Sequence, residues 1–145
     1  RVDNSQRGKI LKRFDEGDIQ VLVAIKCLDE GVDIPATRRA FFLASTSNPR
    51  EFVQRRGRIL RKSKGKNLAV IYDFIVIPSQ ADEKTYITIV KKEMPRFAEF
   101  SRYAINQYKS RMIIKKYLEI VDLEHLMDKL PWEVYRELKE EFENE

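Results

Sequence analysis

The segment AFFLASTSNPREFVQRRGRIL, Ala40–Leu60, contains a strand pattern and a helix pattern joined by a capping sequence. Its first six residues are almost wholly apolar, which is typical of a strand buried on both faces. Asn48, Pro49 and Glu51 then predict the start of a helix, because Asn suits the N-cap, Pro the first helical position and Glu the third. The helix is predicted to reach the end of the segment. A strand followed directly by a helix is the repeating unit of α/β sheets.

Two more apolar runs flank this segment, Ile19–Ile25 and Leu68–Ile77. Both are short and rich in β-branched residues, and they predict strands buried on both sides. Upstream, Ser5–Glu16 has the apolar spacing of an amphipathic helix and is followed by Gly17, a common residue at a helix end. The alternation of helices and strands predicts an α/β fold with a parallel sheet.

The sequence pattern changes after Pro78. Residues 81–145 contain no strand-like run and show long helical patterns instead. Lys91–Tyr108 has apolar side chains at steps of three and four, and Pro131 stands where a later helix would begin. The sequence therefore predicts two parts, an α/β part in residues 1–80 and an α-helical extension in residues 81–145.

The composition restricts the class of protein. With 145 residues and a net charge of +5, the chain is long enough for one domain with a core. Its single cysteine, Cys27, excludes an internal disulfide and fits a reducing compartment, so we expect a cytoplasmic or nucleoid-associated protein. The single histidine, His125, has no cysteine cluster near it, so the sequence gives no basis for a metal site. No apolar run approaches the length of about 18 residues that indicates a membrane span.

The strongest local charge lies in residues 50–66, which include eight basic side chains and one acidic side chain. Such a patch favours phosphate or nucleic acid as a partner. Gln54, Arg58 and Arg61 are spaced by four and three residues and therefore share one face of the predicted helix, with Arg55 on the neighbouring stripe. Because it is costly to bury such a set alone, this face favours a multiply charged ligand. A solvated basic face paired with acidic neighbours is the alternative.

Gly57 lies in the middle of the same predicted helix. Glycine at such a position costs about 1 kcal/mol relative to alanine. This cost indicates that a partner approaches the helix backbone closely at Gly57. The glycine and the regular spacing of the polar side chains together argue against a merely solvated basic face.

Polar residues also follow the first two predicted strands, at the sheet edge where open α/β sheets bind ligands. Gly31 suits a tight turn after the first strand, and Asp33 places a carboxylate just beyond it. Ser45 and Thr46 follow the second strand, next to a helix N-terminus whose free amides suit a phosphate. Two ordinary loops with capping side chains are the alternative interpretation.

Two stretches of the sequence resemble motifs of the superfamily 2 helicases. Gln54–Arg61, QRRGRILR, matches Q-x-x-G-R-x-x-R and resembles motif VI, and Ala24–Pro35, AIKCLDEGVDIP, resembles motif V. Their order and their separation by one strand and loop are also those of that family. The resemblance covers roughly residues 3–78 and is greatest to DEAD/DEAH helicases of the DNA-repair and restriction types. It implies a partial RecA-like domain of the P-loop NTPase type, the second of two such lobes, from which the motif IV strand is missing.

The resemblance also implies a role for each residue of the possible nucleotide site. Arg58 and Arg61 would be arginine fingers at the γ-phosphate of ATP, which contribute about 10³–10⁵ in rate in other NTPases. Gln54 would position the phosphate or the attacking water, or link to the first lobe. Gly31 and Asp33 would face the nucleotide.

Nucleic-acid contacts are implied for the loops after the first two strands and for the basic helix. The positions that would lie towards the nucleic-acid backbone are Ile25, Lys26, Ser45, Thr46 and Arg55. Many relatives have Thr where this chain has Ile25, so that contact would lack its hydroxyl. DNA is the expected partner, with RNA as the alternative.

The 145 residues contain no G-x-x-x-x-G-K-[ST] segment to hold the β- and γ-phosphates. The resemblance therefore implies that ATP and Mg²⁺ are held mainly by an N-terminal RecA-like lobe of the same parent chain. The expected function is that of the C-terminal lobe of an ATP-dependent DNA helicase or translocase. Alone, the chain is expected neither to hydrolyse ATP nor to unwind a duplex.

Two other functions stay open at the level of sequence. Residues 50–66 would form a non-catalytic nucleic-acid-binding module, which predicts salt-sensitive binding by the isolated chain. The helical extension would instead dock a partner, with Phe97, Phe100, Tyr103 and Tyr108 available to stack on bases. Aromatic side chains at helical spacing are more often part of a core.

Overall fold

A computed structural model describes residues 3–23, 35, 37–43 and 46–143 of the chain. The helices and strands of these residues follow in the order α1 (Asn4–Asp15), β1 (Arg39–Phe42), α2 (Pro49–Ile59), β2 (Val70–Asp73), α3 (Glu83–Arg102), α4 (Gln107–Leu118) and α5 (Pro131–Glu143). Two short 3₁₀ helices, Glu119–Val121 and Glu124–Met127, lie between α4 and α5.

The strands β1 and β2 pair with each other, and α2 connects them along the chain. The amide of Val70 donates to the carbonyl of Arg38 at 2.8 Å, and the amide of Phe74 donates to the carbonyl of Phe42 at 3.2 Å. Since both partners advance by four residues in the same direction, the strands are parallel. This βαβ arrangement confirms the predicted α/β fold with a parallel sheet.

The strands are less buried than their sequences predict. Half-buried and exposed residues alternate along both β1 and β2. Phe41 and Tyr72 stack with ring centroids 4.5 Å apart, yet both rings are exposed. The prediction of strands buried on both sides is therefore wrong for these residues. An apolar run specifies an extended segment, but burial on both faces also requires a covering layer on each face.

The predicted first strand, Ile19–Ile25, is not formed in its described part. Residues 19–23 have no strand conformation, and Val21 and Val23 are 75% and 88% exposed. A strand needs a hydrogen-bonded neighbour, and no described residue provides one here. The prediction is wrong for residues 19–23, and residues 24 and 25 lie outside the described part of the chain.

The helix at the start of the chain agrees with its sequence pattern. Asp3 is the N-cap of α1, and its Oδ1 accepts the amide hydrogen of Gln6 at 2.8 Å. After the helix the chain turns at Gly17, whose φ of 88° lies in the left-handed region that favours glycine. Both the predicted helix and its predicted stop are confirmed.

The chain divides into two compact units, each made of two segments. One unit comprises Arg1–Phe41 and Gln54–Tyr72, and the other comprises Phe42–Val53 and Asp73–Glu145. The second unit contains a hydrophobic core to which α3, α4, α5 and the two 3₁₀ helices contribute. The buried side chains of this core are Val90, Met94, Phe97, Leu118, Leu123, Leu126, Met127, Val134 and Leu138.

The helical extension is confirmed as helical, with one difference in its boundaries. The predicted pattern Lys91–Tyr108 is shared between two helices, because α3 ends at Arg102 and α4 begins at Gln107. Pro131 is the first residue of α5, as its position in the sequence predicts. No helix within the described ranges is long and apolar enough to cross a membrane.

A buried ion cluster joins the end of β2 to α3. Arg96 is 2% exposed, and its Nε donates to Asp73 Oδ1 at 2.7 Å. Its Nη2 donates to Glu93 Oε2 at 2.6 Å and to the carbonyl of Phe74 at 3.1 Å. Burial raises the pKa of Asp73 even though the adjacent Arg96 acts to lower it. The buried guanidinium is stable here because carboxylate and carbonyl partners compensate its lost hydration.

Candidate functional site

The N-terminus of α2 is closed by its own capping residues. The Oδ1 atom of Asn48 accepts the amide hydrogen of Arg50 at 3.1 Å, which confirms Asn48 as the cap and Pro49 as the first helical residue. The amide of Asn48 donates to Oγ1 of Thr46 at 3.1 Å, the contact that a capping box assigns to Glu51. Thr46, predicted to contact nucleic acid, is thus also part of the cap.

One side of α2 is fixed by aromatic packing. Phe52 is fully buried, and its ring meets that of Phe100 edge to face with centroids 6.0 Å apart. Phe100 also meets Phe42 at 5.4 Å between centroids. These contacts lie within the second unit and hold the first turns of α2. Because Phe52 faces inward, Gln54, which lies two residues further along α2, is on a different side of the helix.

Gln54, Arg58 and Arg61, named here the α2 stripe, belong to the first unit. Gln54 and Arg61 are exposed, and Arg58 is half-buried. Arg61 lies two residues past the end of α2, and its amide donates to the carbonyl of Arg58 at 3.3 Å, so the chain still turns tightly there. Arg55, also half-buried, lies beside the stripe. The three arginines each have an interaction partner in the folded chain, which a phosphate would have to replace.

The C-terminal end of α2 is tied by a lysine that the sequence does not single out. Nζ of Lys66 donates to the carbonyl oxygens of Ile59 at 2.5 Å, Arg61 at 2.9 Å and Pro35 at 3.1 Å. Partial burial, followed by the positive charge of Arg38, lowers the pKa of Lys66. A cation at the last carbonyls of a helix stabilises its end.

This contact gives Lys66 a role that differs from that of the basic patch in residues 50–66. The patch favours phosphate or nucleic acid, but Lys66 binds the main chain around the end of α2. Gly65 makes the tight approach possible, because its φ of 70° is left-handed. In the sequence, Lys66 lies six residues beyond the predicted helix end at Leu60 and looks like its basic neighbours.

Gly57 is exposed on α2, and a methyl group added to it would meet no atom within 4 Å. Packing among the described residues therefore gives no reason for glycine at this position. The prediction that a partner approaches the helix there stays a prediction, and the open space around Gly57 leaves room for such an approach.

Several of the predicted site residues lie outside the described ranges, and their roles stay predictions. They are Ile25, Lys26, Gly31, Asp33 and Ser45. Among the residues that the structure describes, no group of three His, Cys, Asp or Glu side chains is placed to hold a metal ion.

The chemistry of the α2 stripe fits a polyphosphate. Guanidinium groups carry a permanent, delocalised charge and donate in pairs to phosphate oxygens. The amide of Gln54 adds a donor and an acceptor that can orient a phosphate or a water molecule. The 145 residues contain no P-loop sequence of the kind that holds the β- and γ-phosphates of a nucleotide.

Comparison with known proteins finds a family model whose match includes α2. Residues 1–63 match the family described as the helicase conserved C-terminal domain. The chain is 39% identical over 70 residues to the DNA 3'-5' translocase XPB2 of Sulfurisphaera tokodaii, which covers 48% of the chain and 16% of the translocase. It is 26% identical over 126 residues to the DEAD-box ATP-dependent RNA helicase CshA of Bacillus cereus, which covers 86% of the chain and 23% of the helicase.

A third relative is the Dicer-like protein 2 of Pyricularia oryzae, 33% identical over 66 residues, which cover 46% of the chain and 4% of that protein. The chain thus spans less than a quarter of the length of each of these three relatives. No solved structure matches the chain. The similarities at 39% and 33% identity extend over no more than half of the chain.

Proposed function

We propose that this chain, whose residues 1–63 match the helicase conserved C-terminal domain, works as the second RecA-like lobe of an ATP-dependent DNA helicase or translocase of superfamily 2. The observation that carries the proposal is the position of the Q-x-x-G-R-x-x-R sequence on α2. The family match includes this helix. Gln54 is exposed on it, and Arg61 is exposed two residues past its end. A ligand brought by another domain can reach these two side chains, and at Arg61 it would replace the contact made in the folded chain.

In this proposal the α2 stripe completes an ATP site whose main part belongs to a first lobe of the parent protein. Arg58 and Arg61 stabilise the negative charge that develops on the γ-phosphate oxygens, and Gln54 orients the phosphate or the attacking water. Arginine fingers of this kind contribute about 10³–10⁵ in rate. ATP is the substrate, and Mg²⁺ accompanies it on the first lobe. Gly31 and Asp33 face the nucleotide.

The remaining predicted site residues contact the nucleic-acid backbone. They are Ile25, Lys26, Ser45, Thr46 and Arg55. The relatives include a DNA translocase and an RNA helicase. We favour DNA as the partner because the DNA translocase is 39% identical to the chain, whereas the RNA helicase is 26% identical. Residues 1–80 form the lobe and residues 81–145 its helical extension, in a protein of the cytoplasm or nucleoid.

The proposal is tested in the full-length protein that contains this chain. We expect Arg58→Ala and Arg61→Ala each to lower nucleic-acid-stimulated ATP turnover by about 10³-fold or more, because a transition-state charge loses its partner. Binding of a fluorescent ATP analogue is expected to persist, since the first lobe holds most of the nucleotide. The measurement is phosphate release with and without single-stranded DNA, beside the affinity for the analogue.

Arg136→Ala provides the matched control, since Arg136 is an exposed arginine on α5 outside the family match. It is expected to leave turnover unchanged. Near-normal turnover in both the Arg58 and Arg61 variants would contradict the assignment of arginine fingers.

A non-catalytic nucleic-acid-binding module is the second candidate, favoured by the exposure of Gln54 and Arg61. It predicts that the isolated chain binds nucleic acid through residues 50–66 with strong salt dependence. Nucleic-acid binding by the isolated chain distinguishes the two candidate functions. If the chain is a nucleic-acid-binding module, Arg58→Ala and Arg61→Ala should abolish this binding. For a lobe whose arginines serve ATP, the same variants should leave binding largely intact.

A further inference from the structure

The helical part of the chain presents a basic and aromatic surface on α4 and on the segment just before it, outside the residues that match the helicase domain. This surface, named here the α4 surface, consists of Tyr103, Ile105, Tyr108, Lys109, Met112 and Lys116. All six side chains are exposed.

The geometry of α4 separates this surface from the core. Leu118 is fully buried, and Ile114 packs against the core of the second unit. These residues are spaced by four, so they define one inward face of the helix. Tyr108, Met112 and Lys116 are spaced by four on a different stripe and face away from the core.

The structure shows that four aromatic side chains with similar sequence spacing differ in their burial. Phe97 belongs to the core and Phe100 packs against Phe52. In contrast, Tyr103 is 76% exposed and Tyr108 is 80% exposed. Exposed aromatic rings suit stacking on nucleic-acid bases, because every base offers a flat π-face.

The segment that carries the α4 surface is rich in basic side chains. Residues 100–118 include five basic side chains and no acidic one, and the exposed Glu119 follows directly. Two of the five are used inside the chain: Arg102 donates to the carbonyl of Lys129 at 3.1 Å, and Arg111 pairs with Asp128 at 2.9 Å. These two arginines connect the end of α3 and the α4 helix to the segment before α5.

The other three basic residues are exposed lysines. Lys109 and Lys116 belong to the α4 surface, and Lys115 lies beside it. Lys115 pairs with Glu119 at 3.4 Å, and Lys116 lies 4.8 Å from the centre of the Tyr117 ring. Exposed contacts of this kind are weak and exchange readily for a phosphate.

We propose that the α4 surface binds single-stranded nucleic acid, with bases stacked on Tyr103 and Tyr108 and phosphates beside Lys109 and Lys116. Two exposed aromatic rings followed by two exposed lysines, with no acidic side chain in residues 100–118, complement a polyanion with exposed bases. The inference extends the proposed function, on which it rests, to a second contact outside the helicase domain.

The test uses the 145-residue chain and fluorescein-labelled oligothymidylate and oligouridylate, with affinity measured by fluorescence anisotropy across a range of salt concentrations. We expect Tyr103→Ala and Tyr108→Ala each to weaken binding by at least about fivefold, because each stacked base loses its platform. Phenylalanine at either position should restore binding. Lys109→Ala and Lys116→Ala should each reduce the salt slope by about 0.7, the value for one phosphate of a single strand.

Trp132→Ala is the matched control, because Trp132 is a partly exposed aromatic residue on α5 outside the α4 surface. It should bind as the unchanged chain does. The proposal is overturned if the tyrosine variants bind the oligonucleotides as tightly as the unchanged chain does. It is also overturned if the unchanged chain does not bind them at low salt. So does a concentration-dependent dimer that the tyrosine variants abolish, since the α4 surface would then be a protein interface.

Failure of this inference can be told apart from failure of the proposed function. If the full-length protein shows nucleic-acid-stimulated ATP turnover that depends on Arg58 while the tyrosine variants bind normally, only the α4 surface is refuted. If turnover does not depend on nucleic acid or on Arg58, the proposed function is refuted whatever the tyrosine variants do. A preference for oligothymidylate or oligouridylate identifies the kind of strand.

Discussion

No contact within the described part of the chain explains why residue 57 is glycine. It is exposed in the middle of α2, its φ is not left-handed, and an added methyl group would meet no atom within 4 Å. Glycine nevertheless costs about 1 kcal/mol in a helix interior relative to alanine. If a molecule or domain approaches α2 closely at Gly57, as the sequence predicts, that contact offsets the cost.

The substitution Gly57→Ala distinguishes stability from function. We expect it to raise the free energy of unfolding of the 145-residue chain by about 0.5–1 kcal/mol, measured by urea denaturation, because alanine is the better helix former. In the full-length protein the same change should lower nucleic-acid-stimulated ATP turnover, because the methyl group would occupy the space that a partner needs.

Gly8→Ala is the matched control, since Gly8 is exposed within α1 and an added methyl group there also meets nothing within 4 Å. It should stabilise the chain to a similar extent and leave turnover unchanged. If both alanine variants keep full turnover, no partner approaches α2 closely at Gly57.

Lys66 illustrates what a sequence pattern cannot supply at the level of single residues. The spacing of Gln54 and Arg58 is readable from the sequence, because a helix has a fixed period and both residues lie in α2, whereas Arg61 lies two residues past the helix end. The contacts of Lys66 depend on how the chain folds back towards the end of α2. A turn of this kind has no regular sequence period from which it could be predicted. The lysine looks like its basic neighbours in sequence, yet it binds three carbonyl groups.

Among the helices, α3 has the most strongly bonded N-cap that the structure records. Asp82 accepts the amide hydrogen of Thr85 at 2.9 Å through Oδ1 and the hydroxyl hydrogen of Thr85 at 2.6 Å through Oδ2. The hydroxyl contact, followed by the amide contact, lowers the pKa of Asp82. Its stabilising contribution is therefore fully present above pH 3.8, the ordinary value of an aspartate, and is lost as the pH falls through the lowered pKa.

We expect Asp82→Ala to lower the melting temperature of the chain at neutral pH, since it removes both contacts and the negative charge at the N-terminus of α3. The difference from the unchanged chain should shrink once the pH falls below 3.8. Circular dichroism melts from neutral to acid pH measure this difference.

Asp82→Asn separates the charge from the hydrogen bond, because asparagine is also a good N-cap and does not titrate. It should retain part of the stability, without the pH dependence that Asp82 contributes. A difference between Asp82→Ala and the unchanged chain that is as large in acid as at neutral pH would show that the ionised carboxylate is not the stabilising group.

The elements of the fold differ in how well their sequences predict them. The helices α2 and α5 begin where Asn48 and Pro131 indicate, because both signals depend on local chemistry, and α1 begins one residue before the predicted Ser5. The degree of burial of the strands is not predicted correctly. The same apolar run can form a strand that other elements cover on one face or on both faces, and the sequence does not distinguish these cases. The buried position of Arg96 is also invisible in the sequence, because its carboxylate partner Asp73 lies in a strand 23 residues away.

At the scale of the molecule, the family match and the folded core cover different residues. The family match ends at residue 63, whereas the core of nine buried side chains lies in residues 90–138. The helical extension is thus a folded structure and not an unstructured tail. A function in nucleic-acid binding for α4 would give this extension a role beyond the residues that match the helicase family.

The whole 145-residue chain is expected to lack ATP turnover, because the α2 stripe can supply charge at the γ-phosphate but no P-loop is present to hold the nucleotide. Purified chain with ATP, Mg²⁺ and single-stranded DNA should release no more phosphate than the double variant Arg58→Ala/Arg61→Ala purified in the same way. The double variant is the control for a contaminating ATPase, which would survive both substitutions. Turnover by the unchanged chain that the double variant lacks would mean that these residues contain a complete ATP site, and the arginines would then act within one lobe instead of across two.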